Sequence, residues 1–206
     1  MLTQTQETQA AMTPAEALSR LKEGNARFVA NRQAGRDLME QVRITGEGQY
    51  PFAFVLGCVD SRVSPELVFD QGIGDIFSAR VAGNFVNTDI LGSMEFACKV
   101  AGSKAIVVLG HTKCGAIMGA CDHVQLGNLT GMLGNLMPAV DAVPAPAGGR
   151  SSQNAEFVQQ VADKNVELTI EAIKKRSPVL NEMLENGEIA IAGAMYDVET
   201  GKVSFQ

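Results

Sequence analysis

With 206 residues, a formal net charge of -6 and a pI near 5.0, the chain is large enough for one domain with a real core. Its acidity excludes a nucleic-acid surface, which needs a basic stripe, and no apolar run approaches the ~20 residues needed to cross a bilayer. Hydrophobic content of 46% and charged content of 19% are those of a soluble globular protein. The polar start has neither a basic n-region nor an apolar h-region, so the cytoplasm is the expected compartment, the periplasm only if a leader was removed upstream. Four cysteines are too few for a disulfide scaffold, which favours reduced thiols and metal use.

The first helix is predicted at Thr13-Pro14-Ala15-Glu16, with Thr13 as N-cap, Pro14 at its first position and Glu16 closing a capping box. Ala17, Leu18, Leu21 and Phe28 give it an apolar face, and Gly35 lies past its end. Polar, glycine-containing residues 36–49 read as a connection to the core. Residues 52–56 form a continuous apolar run, the pattern of a strand buried on both faces. Ser64-Pro65-Glu66 opens a short helix through Phe69, stopped at a Gly72/Gly74 turn, and residues 75–81 read as a second strand with Arg80 near its end. Thr88 or Asp89 caps a helix to Val100, residues 104–110 form another buried strand, and a helix runs from Gly115 towards His123.

The second half is more helical. Residues 129–140 read as one helical stretch despite Gly131, Gly134 and Pro138, and 143–149 as an exposed connection. Residues 155–175 carry Phe157, Val161, Val166, Ile170 and Ile173 close to a helical period. Ser177-Pro178 caps a further helix ending at Asn186-Gly187, 188–196 is a strand, and a turn at Thr200-Gly201 leads to a last strand at Val203-Ser204-Phe205. Alternating strands and helices predict an α/β fold, a mostly parallel sheet flanked by helices. One domain is expected over 1–206, with a helical arm over 1–35 and the α/β core over 50–206.

The two buried strands end in chemistry. The first runs into Cys58-Val59-Asp60-Ser61-Arg62, the other into His111-Thr112-Lys113-Cys114. In open α/β sheets, ligands bind beyond the carboxyl ends of the strands, and two parallel strands would bring Cys58, Asp60, His111 and Cys114 to one edge. Zinc takes thiolate and imidazole ligands tetrahedrally, and three protein ligands leave a position open for catalysis. Cys58, His111 and Cys114 supply such a set. Asp60 has two roles open to it, filling the fourth position or pairing with Arg62, where it stays ionised. Cys98 and Cys121 read as core packing, His123 as a surface histidine, and Met132 and Met137 as core filler. Gly72-Ile73-Gly74 lacks the third glycine of a dinucleotide loop.

The residues that carry these signals resemble the β-class carbonic anhydrases. The resemblance rests on residues 58–62 and on His111-Thr112-Lys113-Cys114-Gly115, and continues through Pro65-Glu66-Leu67, Asp70-Gln71-Gly72, Arg80-Val81-Ala82-Gly83-Asn84 and Gly92-Ser93-Met94-Glu95. It is dense from Gly24-Asn25 to Ala120. It implies Zn2+ held by Cys58, His111 and Cys114, with Asp60 and Arg62 as the catalytic dyad. Phe77 and Phe96 would line the carbon dioxide pocket, Gln49 would donate to substrate across a dimer interface, and the backbone of Gly115 would lie near the metal. A homodimer or dimer of dimers is implied, with the N-terminal helix over the partner. The implied reaction is the reversible hydration of carbon dioxide to bicarbonate and a proton by zinc-bound hydroxide.

Two other readings use the same residues. A carbonyl sulfide or carbon disulfide hydrolase would share the ligands, and a non-enzymatic zinc-binding protein would share the fold but has no use for the Asp60–Arg62 pair. One departure bears on regulation. Family members with a non-catalytic bicarbonate site carry a tryptophan three residues before the first cysteine, plus an arginine and a tyrosine. Here that position is Val55 and the chain has no tryptophan, although Arg80 matches and Tyr196 is the candidate tyrosine. An open site is therefore expected, with Asp60 on Arg62 and no bicarbonate regulation.

Overall fold

The computed structural model describes residues 3–145 and 147–206. The two apolar runs become β1 (Ala53–Gly57) and β3 (Ala105–His111), buried at every residue. With β2 (Ile76–Arg80), β4 (Ala190–Tyr196) and β5 (Val203–Phe205) they form one sheet in the order β2-β1-β3-β4-β5, parallel except for the β4–β5 pair. Alternation along the strands splits the core between the two faces. Val55, Val107 and Leu109 pack with Ala17 and Leu21 of helix α2 (Pro14–Val29). Phe54, Leu56, Ile106 and Val108 pack with Leu91 and Met94 of α5 (Thr88–Glu95) and with Val166 and Ile173 of α9 (Ala155–Arg176). A third cluster lies beyond the strand ends. It joins Cys58 and Cys114 to Ile117, Leu133, Leu136 and Phe157.

Strand order places the chemistry. The chain steps from β1 out to β2, then crosses back to β3 on the other side of β1. The crevice at such a reversal, outside the carboxyl ends of β1 and β3, is where open α/β sheets hold ligands.

The N-terminal region differs from expectation in two places. Helix α1 (Gln6–Ala11) precedes the predicted first helix, with a capping box between Thr5 and Thr8. Threonine stands there where Glu or Gln usually sits, which hides the signal. Gln9 ties α1 to its own chain, Nε2 donating to the carbonyls of Pro51 and Ala101 at 2.8 Å. Residues expected as a plain connection contain α3 (Leu38–Thr45), capped by Asp37. Its core-facing residue is polar: Gln41 is buried and accepts from the Ile73 amide at 3.1 Å, while Leu38, Met39, Val42 and Ile44 are exposed. The usual pattern is inverted.

The box at Thr13 forms as predicted, with Glu16 accepting from the Thr13 amide at 2.7 Å. Helix α2 ends at Val29, and Asn31, at φ 52°, reverses the chain before Gly35 is reached. Gly24 lets α2 press on the turn after α4 (Pro65–Val68): an added Cβ would lie 1.8 Å from the Phe69 carbonyl oxygen. Beside it, buried Asn25 donates to the carbonyls of Val68 and Gly201 and accepts from the Val203 amide.

Asn87, not Thr88 or Asp89, caps α5, accepting from the Ile90 amide. The helix reaches Val100 as expected, its last five residues widening into a π turn. The stretch 129–140 is two helices, α7 (Gly127–Gly134) and α8 (Met137–Ala142), because Pro138 starts the second instead of interrupting one. Between β3 and α7 lies α6 (Gly115–Cys121), and α10 (Pro178–Glu185) follows α9 with the predicted Ser177 cap.

Candidate metal centre

Cys58 leaves the end of β1, His111 closes β3, and Cys114 precedes α6. Their ligand atoms lie within 4.8 Å of one another, and all three residues are buried. The loop that folds Cys114 back onto His111 turns at Lys113, at φ 55°. Two bonds fasten it to the end of β4: the Thr112 amide donates to the Tyr196 carbonyl at 2.9 Å, and Thr112 Oγ1 accepts from the Val198 amide at 3.1 Å.

His111 Nδ1 lies 2.9 Å from the Thr112 carbonyl oxygen, which can only accept, so Nδ1 carries the proton and Nε2 the lone pair. Nε2 is buried and has no hydrogen-bond partner among the described residues. A buried lone pair left unpaired costs about 1–3 kcal/mol unless something coordinates it. With two sulfurs beside it, the donor set is that of a zinc site with one position open, and the Thr112 contact is the usual outer bond that fixes a metal-binding imidazole.

Electrostatics agree. The Cys58 thiol is pushed down, foremost by its hydrogen bond with Cys114 and then by His111 and the Gly83 and Asp60 amides, against the upward push of burial. Cys114 goes the other way, raised by Cys58 and by burial. Metal ligation requires such sulfurs as thiolates, so a cation bound between them would release their protons. Cys98 and Cys121 are different: burial foremost pushes them up to about 12 and about 11, so both stay thiols in the core.

Asp60 does not join the three ligands. Its Oδ1 accepts from the Arg62 backbone amide at 3.0 Å and from Arg62 Nε at 2.9 Å, and Oδ2 accepts from Nη2 at 2.7 Å. That two-pronged contact holds the carboxyl well below its ordinary range. Oδ2 also faces the cluster, 4.0 Å from His111 Nε2. The carboxylate is thus a fixed acceptor at the rim of the open position.

Five of the predicted residues therefore meet: Cys58, Asp60, Arg62, His111 and Cys114, with Gly115 next to Cys114 at the start of α6. Gln49, Phe77 and Phe96 stand apart. Gln49 is exposed and precedes β1, so the full strand, roughly 16 Å at 3.3 Å per residue, separates it from Cys58. Phe77 pairs with Phe54 in mid-strand and meets Phe96 edge to face, ring centroids 6.0 Å apart. Both line a 520 Å³ depression between β2 and α5 that includes no residue of the cysteine–histidine group. Two contributions were not predicted: the Gly83 amide, 3.4 Å from Cys58 Sγ, and the role of Arg80 in the adjoining turn.

The carbonic anhydrase family model matches residues 53–203. Carbonic anhydrase 2 of Mycobacterium tuberculosis is 37% identical over 191 residues, 92% of this chain and 91% of that protein. The chain belongs to the β-carbonic anhydrase family. Among solved structures, the β-carbonic anhydrase CafA of Aspergillus fumigatus matches with a TM-score of 0.70 at 27% identity, over 93% of this chain and 89% of that one. A structure from work on two tetrameric β-carbonic anhydrases of Sordaria macrospora matches with a TM-score of 0.68 at 26% identity, over 80% of this chain and 84% of that one. β-Carbonic anhydrases are zinc enzymes that interconvert carbon dioxide and bicarbonate, and this chain is an enzyme of that kind. The sulfide-hydrolase and non-enzymatic readings are not favoured.

Proposed function

We propose that Cys58, His111 and Cys114 hold the zinc of this carbonic anhydrase and that Asp60 and Arg62 form its dyad. The observation that carries this is the buried, unpaired Nε2 of His111, set among two sulfurs with Asp60 Oδ2 4.0 Å away. Zinc bound there supplies a Lewis acid that brings the pKa of water to about 7. Arg62 keeps Asp60 ionised and turned to one side, so Oδ2 can only accept. Oδ2 would accept a hydrogen bond from an O–H lying at the open position and so fix how that oxygen is presented to carbon dioxide. The Gly115 backbone borders the same opening. Zinc content measured with stopped-flow carbon dioxide hydration tests the assignment: one zinc per chain and fast hydration are expected, and a chain that purifies active without zinc refutes it.

The working unit is proposed to be a homodimer or dimer of dimers. β2 is a sheet edge with an open row of backbone donors and acceptors. Phe96 beside it is 51% exposed, and α3 turns Leu38, Met39 and Val42 outward. Gln49, Phe77 and Phe96, too far round to serve their own zinc group, would complete the pocket of a second copy, and the N-terminal arm, whose inner side packs on its own chain, would meet that copy with its outer side. The tetrameric Sordaria proteins are assemblies of the same fold. Light scattering tests this, and a monomeric mass with full activity refutes it. The chain is read as one domain over 1–206, acting in the cytoplasm, where both thiols stay reduced; activity recovered only in another cell fraction refutes that placement. Regulation by bicarbonate at Val55 is not expected: Val55 is fully buried in β1 and offers no donor.

A further inference from the structure

Arg80 stands at the end of β2, opposite Gly57, where β1 leaves the sheet and its carbonyls lose their ladder partners. Its guanidinium takes over. Nε donates to the Cys58 carbonyl at 2.8 Å and Nη2 to the Asp60 carbonyl at 2.6 Å. The segment that follows binds the same turn: the Val81 amide donates to the Gly57 carbonyl at 3.1 Å, and the Gly83 amide lies 3.4 Å from Cys58 Sγ. The Asp60 carbonyl also receives the Val63 amide at 3.0 Å.

We infer that Arg80 is a positioning residue: by gripping the carbonyls of Cys58 and Asp60 with one planar fork, it sets a zinc thiolate and the dyad carboxylate in fixed relation to each other. Cys58 and Asp60 leave the backbone two residues apart, and each carbonyl fixes the orientation of the peptide unit next to its side chain. Only a guanidinium presents two coplanar donors to span such a pair; an ammonium is a point charge that satisfies one acceptor at a time. With two of its donor nitrogens on backbone oxygens, Arg80 is committed to the turn rather than to a free anion. Arg62 and Arg80 thus divide the work: one holds the Asp60 carboxylate, the other the backbone beneath it.

The inference rests on the assignment of Cys58, His111 and Cys114 as zinc ligands. It is tested with Arg80→Met, which keeps the length of the stem and removes every donor, and with Arg80→Lys, which keeps the charge and loses the fork. Zinc affinity is read by competition with a chromophoric chelator, and ligand geometry by the visible spectrum of the cobalt(II)-substituted protein, which a merely structural residue would not change. Arg80→Met is expected to bind zinc roughly 10- to 100-fold more weakly, the range for loss of an outer-shell partner, with altered cobalt bands. Arg80→Lys should fall between it and the parent in both readouts. Parent-like zinc affinity and cobalt spectrum in folded Arg80→Lys overturn the inference, whether or not Arg80→Met folds. A parent protein that holds no stoichiometric zinc fails the ligand assignment instead, so the two failures are distinguishable.

Discussion

Replacing Asp60 with asparagine changes one atom at the rim of the metal centre, and the surroundings dictate how the amide sits. Arg62 aims two donors, its backbone amide and Nε, at Oδ1, and one, Nη2, at Oδ2. An asparagine keeps the larger number of bonds by leaving its oxygen at the Oδ1 position and placing its NH2 where Oδ2 stood. That NH2 then opposes Arg62 Nη2, donor against donor, and presents hydrogens to a site 4.0 Å from His111 Nε2 where only an acceptor stood. The zinc ligands are untouched, so Asp60→Asn should retain one zinc per chain. Its kcat for hydration should fall by about 10²–10³-fold, within the range for a lost acid–base group, equivalent to about 3–4 kcal/mol of transition-state stabilisation. Raising the pH should not restore the rate, because an amide does not become an acceptor-only group. Stopped-flow hydration alongside atomic absorption reads both quantities. Hydration within about threefold of the parent at full zinc occupancy would refute the accepting role, and loss of zinc would show Asp60 to be a ligand.

Cys58→Ser or His111→Ala removes one of only three ligands and should strip most of the zinc, as metal analysis after dialysis would show; stoichiometric metal in either variant sinks the ligand set. Asn25→Ala strands a buried carbonyl, a half-buried one and a buried amide, about 3 kcal/mol at about 1 kcal/mol each, which should lower Tm by roughly 6–12 °C in a chain of this size; an unchanged melt by circular dichroism counts against the bridge. Asp70 is pushed up by burial, but Arg36, Arg27 and the Ala34 amide together bring it below its ordinary value of 3.8. A depressed folded pKa stabilises above the unfolded value and is lost as pH falls through the folded one. Asp70→Asn should therefore be less stable at neutral pH yet lose less below about pH 4, as urea melts across that range would reveal; parallel pH profiles would contradict the pairing.

How much of this could be read from the chain depends on how far each signal reaches. Thr13, Pro14 and Glu16 specify the start of α2 among themselves, and the runs at 53–57 and 105–110 leave no polar side chain that would let β1 or β3 face water before His111. Once both are parallel strands in one sheet, a thiol and carboxylate after the first and an imidazole and thiol after the other must come near each other, so the metal group follows from local pattern plus one topological rule. The α3 helix escaped because its apolar residues point outward and its buried one is Gln41, the reverse of the amphipathic rule. Arg80 matched a motif without revealing its partners, since the carbonyls of Cys58 and Asp60 are brought to it only by pairing β2 with β1. The same pairing decides that Phe77 lies in mid-strand, away from the zinc group of its own chain. Caps, runs and strand ends act over a few residues and are written in the chain; contacts such as Asn25 with Gly201, or Arg80 with Asp60, join segments whose neighbourhood exists only after the sheet has chosen its strand order.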